Sequence, residues 1–451
     1  MLIRVYLGLM LLIATPVWSQ LGVTPFETPA TSDDAQMMTP PPVSVEGYPT
    51  TVGSQERSNY LAAGLTFNTA YNDNVLAGNG TTPVSDFIYT IFPTITLNKT
   101  TPRQNLGLTY SPGFTFYQHT SSLNATNQNA AVNFQYRLSQ HTTISLSDSF
   151  QKSSNAFDQL YPVSGGPISG SSQTPPIGVV APYADQLNNT ASIGLSYQFN
   201  RNGMIGVAGI VTENNYPNPA KASGLYNSNS LGGSVFYSQR LSSTQYMGVT
   251  YRYSRSQSNP VNAEANPAIA QSEVQTHTFL AFYTIYLNPT FSLSLSSGPQ
   301  YSDDAQPPSP SFSSWTPFVT ASVGWQRSRT NFVASYSRTV TGGLGLPGAF
   351  NSNSATAYVR WQIAPTWIIG SAANYSNNEN ATPSIPSSNP GGQTVSGTIS
   401  VQHSMSEHFN VEFGYARLHQ SYSGIPVISE APDSNRESIS ISYRWTRPLG
   451  R

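Results

Sequence analysis

From Tyr60 to Trp445 apolar and polar residues alternate, in segments of about 10 to 13 residues separated by turn-forming residues. A period of two belongs to β-strands, because successive side chains on a pleated strand point to opposite faces. Leu61, Ala63, Leu65, Phe67 and Tyr71 share one face, with Gly64, Thr66 and Asn68 on the other. Leu106, Leu108, Tyr110, Phe114 and Phe116 oppose Gly107, Thr109, Ser111, Gly113 and Thr115. Ala357, Val359, Trp361 and Ile363 oppose Tyr358, Arg360 and Gln362, and Ile439, Ile441, Tyr443 and Trp445 oppose Ser440, Ser442 and Arg444. No helical period competes. About 18 such segments occur, an even number as transmembrane barrels require.

The connections sharpen this reading. Every second one is short: Asn98 to Gln104, Ser139 to Thr142, Asn200 to Gly203, Leu241 to Thr244, Asn288 to Thr290, Ser328 to Asn331, Ala364 to Thr366 and Ser404 to Glu407. Those between are long and rich in Gly, Pro, Ser and Asn, the longest from Asn155 to Asp185. A soluble sandwich would mix loop lengths between its two ends, whereas an outer-membrane barrel has short periplasmic turns and long extracellular loops. The fold expected is all-β, a transmembrane antiparallel β-barrel of about 18 strands, closed because lipid cannot satisfy an open edge.

Composition agrees. Charged residues make up 9%, against about 25% in a typical soluble domain. Without cysteine, disulfides, thiolate metal sites and cysteine nucleophiles are excluded. A net charge of -1 without a basic block argues against nucleic acid as a partner. Residues 1–19 read as a signal peptide, with Arg4 before an apolar stretch and Ser19 at its small-residue end. Residues 20–58, with Pro40, Pro41 and Pro42 in a row, read as a disordered periplasmic arm. Residues 59–451 form the barrel.

Charge placement tests the same topology. Lys99, Arg103, Arg137, Arg201, Arg240, Arg327, Arg329, Arg444, Arg447 and Arg451 fall at the short-turn end or the C-terminus. Asp73, Asp86, Asp158, Asp185, Glu213, Asp303, Asp304, Glu379, Glu430 and Asp433 fall at the long-loop end. Asp148 shares parity with Ile144, Leu146 and Phe150. A charge facing lipid is costly, so a bulge or register shift is expected there.

Tyr71-Asn72-Asp73-Asn74-Val75, then Ser85-Asp86-Phe87 and the strand through Pro93, Ile95 and Leu97, resemble the opening of the β-barrel porin type 2 family of bacterial outer-membrane proteins. Members often read Tyr-Asp-Asp-Asn-aliphatic, so Asn72 departs from the pattern. The resemblance implies a barrel of this size in the outer membrane. Some relatives are associated with export of secreted polysaccharide. It brings no catalytic residues.

The inward parity is dominated by Ser, Thr, Asn, Gln and Gly, with the charges Arg252, Arg360 and Glu412. Neutral hydrogen-bonding groups suit neutral solutes such as sugars. The inward aromatics Phe92, Phe236, Tyr286 and Tyr358 either stack on sugar rings or fill space and brace folded-in loops. The segment from Asn155 to Asp185 is long enough to constrict the lumen, or it stays at the surface. On the lipid parity a basic residue follows the last outward aromatic by two positions: Phe150 and Lys152, Tyr253 and Arg255, Tyr336 and Arg338, Tyr415 and Arg417. These cations would meet lipopolysaccharide phosphates or simply snorkel.

No enzyme is expected. Six histidines include none at a metal-binding spacing, and His403 and His408, flanking a turn, read as solvated. No catalytic residues, metal or cofactor are assigned. A receptor with a folded plug would need about 22 strands. The expected function is an outer-membrane channel for polar, uncharged, sugar-like solutes, with both termini in the periplasm. The alternative is an exit component for exopolysaccharide secretion, gated by its loops. Expected partners are outer-membrane lipid and lipopolysaccharide, the barrel assembly machinery through the C-terminal strand, and polysaccharide or periplasmic export proteins.

Overall fold

The computed structural model describes residues 59–76, 82–154, 156–157, 179–180, 184–222, 224–262, 271–288, 290–307, 310–343, 345–381, 391–423 and 433–449. The signal-peptide and arm assignments, and Asp158, Glu430 and Arg451, lie outside them. The first strands are β1 (Tyr60–Asn72), β2 (Asp86–Thr100), β3 (Gln104–Tyr117), β4 (Ala125–Arg137), β5 (Thr142–Ser153) and β6 (Gln186–Gln198). Next come β7 (Gly203–Asn215), β8 (Tyr226–Ser242), β9 (Gln245–Pro260), β10 (Ser272–Asn288), β11 (Phe291–Ala305) and β12 (Phe312–Arg327). The circuit ends with β13 (Thr330–Thr341), β14 (Phe350–Ala364), β15 (Trp367–Asn380), β16 (Gly392–Ser404), β17 (Phe409–Tyr422) and β18 (Asp433–Pro448).

Each strand pairs antiparallel with its chain neighbours, and β1 pairs with both β2 and β18, so the 18-stranded sheet closes on itself. The seam runs unbroken from Tyr60 opposite Pro448 to Asn72 opposite Arg436. Connections at one end span two to four residues, and the longer ones all lie at the other. Both ends of the barrel chain lie at the short-turn end, where Tyr60 meets Pro448. The strands run to 17 residues in β8 and β10, longer than the alternation predicts, because interstrand pairing continues beyond the apolar band.

That band is on the outside. Leu65, Ile95, Val249 and Ile399 are all more than half exposed, while the alternate positions Thr66, Thr94, Thr250 and Ser400 are buried toward the lumen. Aromatic pairs border it: Tyr71 with Phe87 (ring centroids 5.2 Å apart) and Tyr301 with Trp315 (5.2 Å) at the long-loop end, Phe199 with Tyr237 (6.1 Å) at the short-turn end. Such girdles mark the two interfaces of a membrane-spanning barrel. His403 belongs to one of them; it stacks on Trp367 at 4.3 Å instead of standing in solvent.

The opening motif turns out to clamp the seam. Asp73 accepts hydrogen bonds from the Asn435 backbone N–H (2.7 Å) and side-chain amide (2.6 Å). The Asn72 amide oxygen accepts from Asn74 N–H and from the Ser434 hydroxyl, both at 2.9 Å. Asp86 gathers the next connection, accepting the Thr120 N–H at 2.7 Å and its hydroxyl at 2.6 Å.

Asp148 departs from expectation. Its pairing with Val132 on β4 and Ala191 on β6 sits in unbroken ladders on both sides, so no bulge turns it inward. Following the ladder one way leads through Leu108, Leu97 and Leu61 to Arg447 at the short-turn end. The other way leads through Val211 and Leu231 to Arg255 at the long-loop end. Asp148 therefore faces outward, about halfway between these basic residues. The register shifts that do occur lie at short turns, at Arg240/Ser242, Tyr286/Asn288 and Gln362/Ala364.

Inside, rings lie flat over glycines on the paired strand. Phe236 covers Gly206, and Phe282 covers Gly248, each pair directly opposite in register. A methyl group on Gly248 would collide with the Phe282 ring and the Tyr237 carbonyl oxygen, whereas one on Gly397 finds nothing nearer than the Ala372 carbonyl at 3.8 Å. Gly248→Ala should therefore cost about 1–3 kcal/mol. Gly397→Ala should stay within about 0.5 kcal/mol. Denaturant unfolding of the barrel in micelles, followed by tryptophan fluorescence, checks the contrast.

Candidate channel lining and mouth

The inner wall is built of hydroxyl pairs between neighbouring strands. Thr94 and Ser111 lie 3.0 Å apart, Ser147 and Ser192 2.6 Å, Ser254 and Thr276 2.7 Å, Thr284 and Ser294 2.9 Å, and Ser335 and Thr356 2.7 Å. Period-two sequence puts every second Ser or Thr inward, and the antiparallel register sets them opposite one another. A hydroxyl both donates and accepts, so such a wall satisfies itself and still offers lone pairs to a solute.

The candidate lining residues divide by location. Phe92 on β2 is 3% exposed and packed over Gly113. Phe236 and Tyr286 come together with Met204 and Tyr246 near the short-turn end, where Tyr246 meets Tyr286 edge-on at 6.1 Å. The packing of Phe92 and Phe236 favours space filling over a stacking surface. Arg252 places its guanidinium 5.9 Å from the centre of the Phe318 ring. Tyr358 lies within electrostatic reach of Arg360 and Glu412, and Glu412 accepts a hydrogen bond from Ser400. From Arg360 the register runs through the small residues Gly370 and Ser400 to Gly414, two residues along β17 from Glu412, which itself pairs with Gln402. Among the described residues Phe92 falls outside the Phe236 cluster.

Three of the outward cations sit beside carboxylates. Lys152 lies 3.4 Å from Asp185, Arg417 3.1 Å from Asp433, and Arg255 grips Glu273 through two bonds of 2.8 and 2.6 Å. Arg338 lies opposite Val319 and Asn353.

The long-loop end holds what the sequence pattern missed. Gln420, inward on β17, pairs with Val180: the Val180 N–H donates to its amide oxygen and its amide nitrogen donates to the Val180 carbonyl, both at 2.8 Å. The described part of the Asn155–Asp185 segment thus enters the mouth, and Phe157 there meets Leu418 and the Arg436 guanidinium. Gln300 on β11 grips the end of β13 in the same way, through Val340. From there the 342–349 connection crosses the inner face of β10, β9 and β8. Gly348 N–H donates to the Ser272 hydroxyl (2.9 Å), the Ser228 hydroxyl donates to the Gly343 carbonyl (2.6 Å), and Tyr226 N–H donates to the Gly345 carbonyl (3.0 Å).

An apolar cluster joins these connections. Val179 and Ala184 from the first, Tyr216, Ala222 and Leu225 from the β7–β8 connection, and Leu346 from the β13–β14 connection pack with Phe350 and Tyr422. Burial pushes the Tyr216 phenol up to about 12. The readable signal for this mouth was the glycine run at 342–348, where Gly343, Gly345 and Gly348 adopt φ of 78°, 80° and 89°. Only glycine takes that conformation without strain.

Comparisons with known proteins identify no family: no family model matches the chain, and no curated protein matches it. The porin type 2 resemblance stands on the residues quoted above. Among solved structures, the chain is similar to the ferric citrate transporter FecA (10% identity, 84% of this chain and 64% of that one, TM-score 0.41). It is also similar to the outer membrane protein OpdK of Pseudomonas aeruginosa (11%, 86% and 99%, 0.39) and the FrpB iron transporter of Neisseria meningitidis (8%, 86% and 82%, 0.42). The chain spans less than two thirds of FecA, and likeness at this level carries no inference about transport.

Gly345→Val tests the folded-in mouth. It would force a β-branched residue into positive φ, with its Cβ 2.9 Å from the Tyr216 hydroxyl, at a cost of about 1–3 kcal/mol. The expected result is protease cleavage within 342–349 in a barrel whose folded electrophoretic mobility is unchanged.

Proposed function

We propose that this protein is a bacterial outer-membrane channel for polar, uncharged solutes of sugar-like chemistry. The observation that carries the reading is the inner wall of cross-strand hydroxyl pairs, with the charges Arg252 midway along β9 and Arg360 and Glu412 nearer the short-turn end. Such a wall exchanges hydrogen bonds with a sugar at little cost and offers no concentrated field to an ion. Selection then rests on lumen width and hydrogen bonding, without chemistry on the solute. In this reading the short turns and both ends of the barrel chain face the periplasm, and β18 presents Tyr443 and Trp445 to the assembly machinery. Lys152, Arg255, Arg338 and Arg417 contact lipopolysaccharide, whose phosphates would share the first, second and fourth of these with the neighbouring carboxylates.

A second reading, the exit component of an exopolysaccharide secretion system, is favoured by one feature, the apolar cluster that Val179 and Leu346 share at the mouth. Loops that meet over a lumen are suited to gating. Conductance of the purified folded barrel in planar bilayers separates the two. The channel reading expects a steady ohmic current that neutral oligosaccharides block as their concentration rises. Current indifferent to sugars but strongly selective for one sign of ion would refute it. The exporter reading expects a silent barrel that conducts once residues 158–178 are deleted.

A further inference from the structure

An arc of cations lines the short-turn rim. From the seam onward it takes in Arg444 and Arg447 on β18, Lys99 and Arg103 around the β2–β3 turn, Arg137 at the end of β4, Arg201 between β6 and β7, and Arg240 near the end of β8. All but Arg240 are exposed. Among the described residues of the short turns, Glu407 is the only carboxylate, and it stands at the edge of the arc between β16 and β17. At the long-loop end, by contrast, Lys152, Arg255 and Arg417 each sit beside a carboxylate.

Membrane lipid accounts for only part of the arc. Lys99 and Arg447 have the outward parity of their strands, where phospholipid phosphates lie. Arg137, Arg240 and Arg444 continue the inward parity of β4, β8 and β18, on the lumen side of the wall. Arg240 is within electrostatic reach of the inward Tyr246, and Arg444 lies 5.8 Å from the ring centre of the buried Tyr60. The turns that carry these cations are joined into one ledge. Arg137 N–H donates to the Arg103 carbonyl (2.8 Å), and Arg240 N–H donates to the Asn202 carbonyl (2.7 Å).

The chain supplies the opposite charge itself. Residues 20–58 contain Glu27, Asp33, Asp34, Glu46 and Glu56 against the single cation Arg57. They join the barrel on this rim, within the arc. The Asn59 side-chain oxygen accepts from Thr100 N–H (2.6 Å), next to Lys99, and the Asn59 carbonyl accepts from Leu449 N–H (2.7 Å), next to the β18 arginines.

We propose that residues 20–58 dock on this arc and lie across the entrance to the lumen, with Asp33 and Asp34 meeting Arg103 and Arg137. Clustered cations attract a carboxylate-rich segment through complementary charge. Attachment at Asn59 keeps those carboxylates at a high effective concentration beside the arc, which a separate acidic protein would have to match. With the segment docked, the entrance offers as little net field as the hydroxyl-lined wall beyond it. The inference concerns the entrance and does not depend on which solute passes.

The absence of cysteine allows the position of the segment to be trapped. Ala35→Cys, beside the acidic pair, is combined either with Gln140→Cys in the β4–β5 turn or with Thr366→Cys in the β14–β15 turn, both exposed positions. These turns begin three strands from β1 in one direction and four in the other, so a segment without preference reaches both. The purified full chain is oxidised in nonionic micelles at low ionic strength, and linked peptides are quantified by mass spectrometry. The expected result is a within-chain disulfide to position 140 in several-fold higher yield than to position 366. At 1 M NaCl, where the Debye length falls to about 3 Å, the two yields should converge, and Asp33→Asn with Asp34→Asn should have the same effect at low salt. Equal yields at low salt would overturn the proposal, as would a preference for position 140 that survives both salt and the double substitution. Disulfides formed mainly between chains would overturn it too, by making a second copy the occupant.

Discussion

Hydrocarbon offers no hydrogen bonds, and every other feature of this protein follows from that constraint. A strand crossing the membrane must have both edges paired, so a sheet of any strand number must close. Closure makes β1 the partner of β18, residues nearly four hundred positions apart. The seam is reinforced where it emerges from the membrane, by Asp73 on Asn435 and Asn72 on Ser434. The motif that resembles a barrel family therefore has a mechanical role at the seam.

Closure also divides the side chains into two populations that meet different solvents. Outside, Leu, Ile, Val and aromatics take up the lipid contact. Inside, hydroxyls pair across strands, and aromatics such as Phe236 and Phe282 lie over glycines that leave room for them. At the long-loop end, where water returns, backbone can leave the wall. It enters the mouth because Gln300 and Gln420 each offer a donor and an acceptor, as a neighbouring strand would. The apolar cluster of Val179, Leu346 and Tyr422 then holds the connections together.

The alternation of side chains, the strand count, the inside–outside assignment and the split between short turns and long loops were all legible in the sequence. A period of two is local chemistry, and each residue carries its own preference for lipid or water. Asp148 was misread for the same reason. Local chemistry calls for a bulge that turns a carboxyl inward, but the ladders to β4 and β6 hold the register and override it. His403 was assigned to water from its place beside a turn, and the stacking partner that removes it, Trp367, lies 36 positions earlier in the chain on a neighbouring strand.

The candidate site was legible only in part. Parity identified Arg252, Tyr358, Arg360 and Glu412 as inward, since direction on a strand is a property of position alone. Which of them come together depends on strand order and tilt, which is why Arg252 meets Phe318 three strands further on and Tyr358 senses Glu412 three strands further on. The mouth was hidden further still. Val180 finds Gln420 across 240 positions, and no sequence period encodes where a loop comes to rest. By itself the sequence determined a closed barrel with a polar interior, because each residue's choice between lipid and water is made locally. Only the tertiary structure decided which loops enter the lumen and which groups share a site, because those contacts exist only once eighteen strands have closed a ring and placed distant positions face to face.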